Sequence, residues 1–255
     1  MITLVGAGNV ATWIAQRLQH SEKFRISTVY SRNICNAKKV AKYSNAKAIN
    51  DIKKFEKDSD IYILALSDDA YSDFISALPF QLNSAFLTSG SISCRCLNEK
   101  ANNYGVIYPL QTFTKSQDMY NLEVPLCVES QYAGIMSTQL WELCNELSPI
   151  FQEVSEEQRA ILHLAAVFAC NFSNAMFSIA NTILSKNNLQ FNILHPLLKN
   201  TLEKLESLTP TEAQTGPAIR NDQIVMAKHL SMLKDDKLKE LYSKISEYIY
   251  ICRNQ

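Results

Sequence analysis

Apolar positions in the first 110 residues alternate between short β-rich runs and stretches with helical spacing. Ile2-Thr3-Leu4-Val5 is a β-rich run that ends at Gly6. Val10, Trp13, Ile14 and Leu18 then recur at i, i+3, i+4 and i+8, which predicts an amphipathic helix from about Asn9 to His20. Residues 26–30 predict a second strand, followed by a helix through Ala37 and Ala41. The run Asp60-Ile61-Tyr62-Ile63-Leu64-Ala65-Leu66 is almost unbroken, as in a strand buried on both faces of a parallel sheet. A helix over about 69–78 stops before Pro79. Further strands are predicted leading into Thr88-Ser89-Gly90-Ser91 and over Tyr104 to Tyr108. This alternation predicts an α/β fold with a doubly wound, mostly parallel sheet.

The rhythm loosens toward Glu153, with a strand predicted over 124–129, a helix over 134–147 and a short strand over 151–154. From Glu156 to Cys252 the periodicity is helical throughout, and the first helix there is expected to run to about Ser185. The expected domains are therefore 1–153, with the sheet, and 154–255, all-helical.

Composition narrows the function. The formal net charge is zero, so the chain lacks the broad positive field that draws nucleic acid. Its apolar runs are interrupted short of the roughly 20 residues that cross a bilayer, and no basic or signal-type segment precedes the first strand. A soluble, cytoplasmic protein is expected, with neither membrane nor nucleic acid as partner. The 7 cysteines are scattered without a CxxC pair, Cys94 and Cys96 forming a lone CxC. They read as reduced thiols, mostly packing residues, and predict no metal site.

Gly6-Ala7-Gly8-Asn9-Val10-Ala11 reads GxGxxA between a strand and an amphipathic helix, the context in which this weak pattern acquires meaning. Gly6 allows the tight turn, Gly8 lets the backbone approach a pyrophosphate, and Ala11 permits close helix–strand packing. The helix start at Asn9 and Val10 offers free N–H groups and partial positive charge to phosphates. Dinucleotide enzymes that use NAD commonly carry a carboxylate after the second strand. Tyr30-Ser31-Arg32-Asn33 has none, and Ser31 and Arg32 suit a 2′-phosphate, so NADP(H) is the expected cofactor.

Ligands of such sheets bind beyond the carboxyl ends of the strands. Leu66, Ser67, Ser89 and Gly90 are expected beside the cofactor, and Gln111 and Thr112 beside a small-molecule substrate. Asp69 caps the next helix or faces the crevice. On the long helix, His163, Cys170 and Asn174 lie seven and eleven residues apart, on one face of a regular α-helix, with Asn171 about 80° around. His163, Asn171 and Asn174 are the candidate catalytic residues, His163 as general acid because imidazole ordinarily titrates near neutrality. A helix capped at Thr215 or Gly216, with Pro217 in its first turn, would hold Arg220 near its start, paired with Asp222, another carboxylate or an anionic ligand.

These motifs together, with Tyr108-Pro109-Leu110-Gln111-Thr112-Phe113 and Gln214–Asp222, resemble a bacterial Rossmann-like family whose C-terminal half is a domain of unknown function. Its members are labelled as relatives of deazaflavin-dependent NADP oxidoreductases. More distantly the layout is similar to pyrroline-5-carboxylate reductase, prephenate dehydrogenase and the 6-phosphogluconate dehydrogenase group. The resemblance implies an NADP-binding Rossmann domain, a helical domain like the C-terminal one of 6-phosphogluconate dehydrogenase, and a homodimer through that domain. It carries no substrate: there is no lysine between Glu156 and Ser185, and Tyr108-Pro109 stands where prephenate dehydrogenases have His-Pro. The expected function is NADP-dependent hydride transfer to or from a small metabolite. The alternatives are a non-catalytic NADP-binding sensor or scaffold, and a deazaflavin- or flavin-linked NADP reductase.

Overall fold

The computed structural model describes residues 1–55, 57–114, 119–131 and 136–252. Among these, eight strands form one sheet in the order β3-β2-β1-β4-β5-β6-β7-β8. They are β1 Ile2–Val5, β2 Ile26–Tyr30, β3 Lys47–Ile49, β4 Ile61–Leu64, β5 Leu82–Leu87, β6 Ala101–Pro109, β7 Leu126–Ser130 and β8 Phe151–Glu153. β1 to β6 are mutually parallel. β7 runs antiparallel to β6, and β8 parallel to β7. The order reverses at β1, with β2 on one flank and β4 on the other, so the crevice beyond their carboxyl ends is the topological switch point.

Helices α1 (Asn9–Arg17), α2 (Ile34–Ala41), α3 (Tyr71–Ser76) and α4 (Thr138–Leu147) cover the sheet. Successive strand residues point to opposite faces, which divides the core in two. Ile2, Leu4, Ile61 and Ile63 meet Trp13, Ile14 and Leu18 of the α1 side and Leu140 and Leu143 of α4. Val5, Tyr62 and Leu64 meet Tyr71, Phe74 and Ile75 of α3. β1 and β4 are buried along their whole length, which is why their sequences read as unbroken apolar runs.

The later chain is α5 (Glu156–Ala166), a π-helical turn (Val167–Phe172), α6 (Ser173–Ser185), α7 (His195–Glu203), α8 (Pro210–Ala213), α9 (Gln223–Met232) and α10 (Asp236–Cys252). The first three segments make one continuous helix from Glu156 to Ser185, as the periodicity predicts. The chain divides into two compact units, Met1–Ala175 and Met176–Gln255. The switch to helix near residue 154 and the division between units are thus separate features, because the long helix begins in the first unit and ends in the second.

Several expectations are corrected. β3 was not located from the sequence: it has three residues and begins at an exposed lysine, too short to show a period. The region 69–78 is a 3-10 turn followed by a six-residue helix. Residues 134 and 135 of the expected 134–147 helix lie outside the described residues. The apolar runs read as too interrupted for a membrane span, yet Glu156–Ser185 is long and apolar enough to cross one by length and composition. Of the cysteines, Cys94, Cys127 and Cys144 are buried as packing residues, whereas Cys35, Cys96 and Cys170 are exposed.

Candidate active site

A cavity of about 540 Å³ opens at the switch point. Its wall includes Gly6, Ala7 and Gly8 of the first turn, Ser31 and Arg32 after β2, and Leu66 and Ser67 after β4. Gly6 is fixed by sterics. Its φ is +107°, and a Cβ there would sit 2.0 Å from the Ala65 carbonyl oxygen. A Cβ on Gly8 would meet nothing within 4 Å, so the space before α1 is open to an approaching group.

The start of α1 differs from five of the other helix starts; α3 and α7, which also lack a side-chain cap, continue directly from 3-10 turns. Asn33, Ser137, Ser155, Thr209 and Asp222 each accept a backbone N–H at the start of α2, α4, α5, α8 and α9. Gly8 offers no such cap to α1, and no acidic residue lies in its first turn. Free N–H groups and the helix dipole there suit an anion. Arg32 is exposed at the cavity wall, and Ser31 Oγ accepts the Asn33 N–H. The residues present therefore fit a dinucleotide with an extra phosphate on its adenosine ribose. Asp69 and Asp73 line the cavity from the α3 side, Asp69 exposed.

Of the other expected cofactor residues, Asn9 and Val10 are not among the cavity's lining residues. Asn9 donates through Nδ2 to the Phe113 carbonyl (2.7 Å), and Val10 packs on the α1-side core. Phe113 also lies against Trp13, with ring centroids 5.4 Å apart, so two contacts tie the 110–113 loop to α1. Within that loop Gln111 Oε1 accepts the Thr112 N–H (2.8 Å), and both side chains are exposed.

Ser89 and Gly90 instead anchor a second constellation at the ends of β5 and β6. Ser89 Oγ donates to Asp68 Oδ1 (2.7 Å), and Ser91 Oγ donates to Asp68 Oδ2. Tyr108, at the end of β6, meets His163 of α5, the phenol Oη lying 2.8 Å from Nδ1. A Cβ on Gly90 would fall 2.7 Å from that same Nδ1 and 2.9 Å from the Tyr108 ring. Glycine at position 90 is thus what lets the pair pack over the loop.

His163 is held from one turn earlier. Arg159 is fully buried; its Nη2 and Nε donate to Glu129 Oε2 of β7 (2.8 and 3.2 Å), and its Nη1 donates to the Ser89 carbonyl (3.1 Å). Residues four apart share a helix face. The buried ion pair therefore fixes the register of α5 against both the Ser89–Gly90 loop and the sheet. Cys94 Sγ also contacts Glu129 (3.1 Å), and burial together with that carboxylate pushes its thiol up to about 12. Burial likewise raises the Tyr108 phenol above its ordinary value, so it stays protonated at neutral pH. The buried Tyr71 phenol, also raised by burial, donates to the Leu64 carbonyl and accepts the Thr88 N–H, clamping the ends of β4 and β5.

Two readings of the later chain are corrected. The π-helical turn places an extra residue between His163 and Asn174, which offsets the α-helical wheel by about 100°. The shared face of His163, Cys170 and Asn174 does not survive it, and Cys170, Asn171 and Asn174 are exposed. Residues 217–221 form a turn rather than a helix. Asp222 caps α9 by accepting the Val225 N–H, and Asn221 just before it takes a positive φ of 54°. Arg220 is exposed in that turn, and no ion pair of Arg220 occurs among the described residues. It belongs to the second compact unit, Gln111 and Thr112 to the first.

Sequence reading missed the roles of Tyr108, Arg159, Glu129 and Asp68. One signal was available: Arg159 is a lone cation in an apolar helix, one turn before the only histidine there.

Comparison with known proteins agrees with this architecture. Residues 1–91 match the family described as NADP oxidoreductase coenzyme F420-dependent, and residues 124–249 match a domain of unknown function, DUF2520. No curated protein matches the sequence. A Bacteroides fragilis protein provisionally described as an NADP oxidoreductase is 36% identical over 98% of this chain and 97% of its own, with a TM-score of 0.89. A reductive aminase from Aspergillus terreus, solved with NADPH and ethyl-5-oxohexanoate, is 15% identical over 97% of this chain and 93% of its own (TM-score 0.69). A 1-pyrroline-5-carboxylate reductase from Streptococcus pyogenes is 13% identical over 100% and 98% (TM-score 0.64), and these two likenesses concern the fold alone. The chain thus belongs to the family that joins an N-terminal NADP oxidoreductase region to a C-terminal DUF2520 domain.

Proposed function

We propose that the protein is an NADP-dependent oxidoreductase that moves a hydride between the nicotinamide and a small metabolite. The observation that carries this reading is the uncapped N-terminus of α1 facing a cavity that also holds Ser31 and Arg32. Gly6, Gly8 and the first N–H groups of α1, at Asn9 and Val10, would hold the pyrophosphate. Ser31 and Arg32 would hold the 2′-phosphate, and Leu66, Ser67, Ser89 and Gly90 would border the nicotinamide end. Bound NADPH supplies the hydride; the chain's own groups orient the reactants and handle the proton. His163 is the candidate proton donor, while Gln111, Thr112 and Arg220 remain candidate substrate contacts, and Asn171 and Asn174 candidate catalytic groups.

The working form in this reading is a cytosolic homodimer. Within 176–252 a single described residue, Ala218, is buried, and along the long helix Ile161, Leu164 and Phe168 are 66%, 58% and 63% exposed. Apolar area on that scale needs cover. Arg159, buried in an ion pair within the same helix, argues for protein rather than lipid as the cover.

Calorimetric titration with NADPH and, separately, NADH tests the cofactor assignment. Selective NADPH binding that is abolished by Gly8→Asp is the expected result; absence of binding to folded protein would remove the assignment. A deazaflavin-linked reductase, the reading suggested by the F420 family description, would instead copurify with a fluorescent chromophore or reduce added F420 with NADPH.

A further inference from the structure

We propose that Tyr108 is a catalytic residue, the group that exchanges a proton with the substrate, and that His163 recharges it. This rests on the oxidoreductase reading above. The phenol and the imidazole are 2.8 Å apart and both half-buried, at the carboxyl ends of strands where this sheet class binds ligands. Their contact is assembled from three separate places: the end of β6, the α5 helix and the glycine at 90, whose missing side chain makes room for both rings. Arg159 and Glu129, one helical turn away, are committed to each other and to the Ser89 carbonyl, which leaves the Tyr108–His163 pair as the proton-carrying element of this cluster.

The chemistry balances as follows. In the reducing direction a carbonyl or imine carbon gains the hydride and its π bond breaks. The oxygen or nitrogen takes the Tyr108 Oη proton. His163 Nδ1–H gives its proton to the phenolate oxygen, and solvent restores the ring's proton. NADPH becomes NADP⁺, and one proton per turnover comes from water. The substrate class is therefore a ketone, aldehyde or imine, and in the other direction an alcohol or amine.

The test uses full-length protein with NADPH and two probes, ethyl levulinate as ketone and 2-methyl-1-pyrroline as imine. Tyr108→Phe keeps the ring and removes only the hydroxyl. The expected result is an unchanged Kd for NADPH with kcat lowered about 10²–10⁴-fold. Gly90→Ala, which crowds the pair without touching its chemistry, should lower kcat in the same assay. Undiminished turnover by Tyr108→Phe overturns the proposal, whereas failure of the wild type to bind NADPH overturns the oxidoreductase reading instead.

Should neither probe turn over, ring-nitrogen NMR of ¹⁵N-histidine protein decides, with His163→Gln to assign the signal. A His163 signal in the NADPH complex that changes with pH and moves on Tyr108→Phe supports the relay; one fixed in a single neutral tautomer throughout overturns it. The titratable groups that act on Tyr108 are Cys127 of β7, Arg159 of α5 and Asp68 after β4. All three are unaltered in every variant, so their influence cancels in the comparison.

Discussion

The two compact units solve the problem of stability in different ways. In Met1–Ala175 the sheet buries apolar side chains on both faces, and β1 and β4 beside the cavity are fully enclosed. In Met176–Gln255 helices are as regular and as well capped, yet Ala218 is the one described residue that is buried. Most helical stability comes from packing an apolar face rather than from propensity. The contrast teaches that secondary structure and a self-sufficient core are separable. The first unit carries its own core; the second has helices whose apolar side chains stay largely exposed.

Four measurements would break or sharpen that contrast. The largest effect is expected for Glu129→Ala, which leaves the Arg159 guanidinium buried without its partner. Removing one member of a buried pair costs about 3–5 kcal/mol, read as a lower urea midpoint for the sheet-bearing unit. Next, Gly90→Ala should cost about 1–3 kcal/mol by overpacking against His163 and Tyr108, read as a lower urea midpoint for the same unit. Third, the stability of the helical unit should rise with protein concentration, by about 1.4 kcal/mol per tenfold, seen as a rising urea midpoint, while that of the sheet-bearing unit stays fixed. Concentration-independent unfolding of both would end the comparison. The last effect is alkaline. Burial raises the Cys144 thiol from 9.0 to about 12, so the folded state holds that proton more tightly than the unfolded chain. Its contribution is complete below pH 9 and is lost between pH 9 and about 12, which a guanidinium series across that range would record; Cys144→Ala should flatten the slope.

The sheet was legible because burial on two faces leaves an unbroken apolar run, and β1 and β4 have such runs. β3 was not, because three residues at a sheet edge carry no period. The glycine turn could be read because its chemistry is local: strand, turn and helix are contiguous. The Tyr108–His163 pair could not, since its members are 55 residues apart and meet only when α5 docks on the loop after β5. The helical-wheel argument for Asn174 failed for a further reason. It assumed 3.6 residues per turn through a segment where the backbone adopts a wider turn, and nothing in Val167–Phe172 advertises that change.

That wider turn also makes the long helix a shaft with a built-in phase offset. Removing one residue between Val167 and Phe172 would let the segment close into ordinary α-helix, and because the wider turn already absorbs one extra residue, the helix after it would keep its facing. His163 would keep its seat, since Arg159 pins the helix upstream of the deletion. The wider turn thus acts as an expansion joint: a one-residue change is taken up inside it, and the helix on either side keeps its phase.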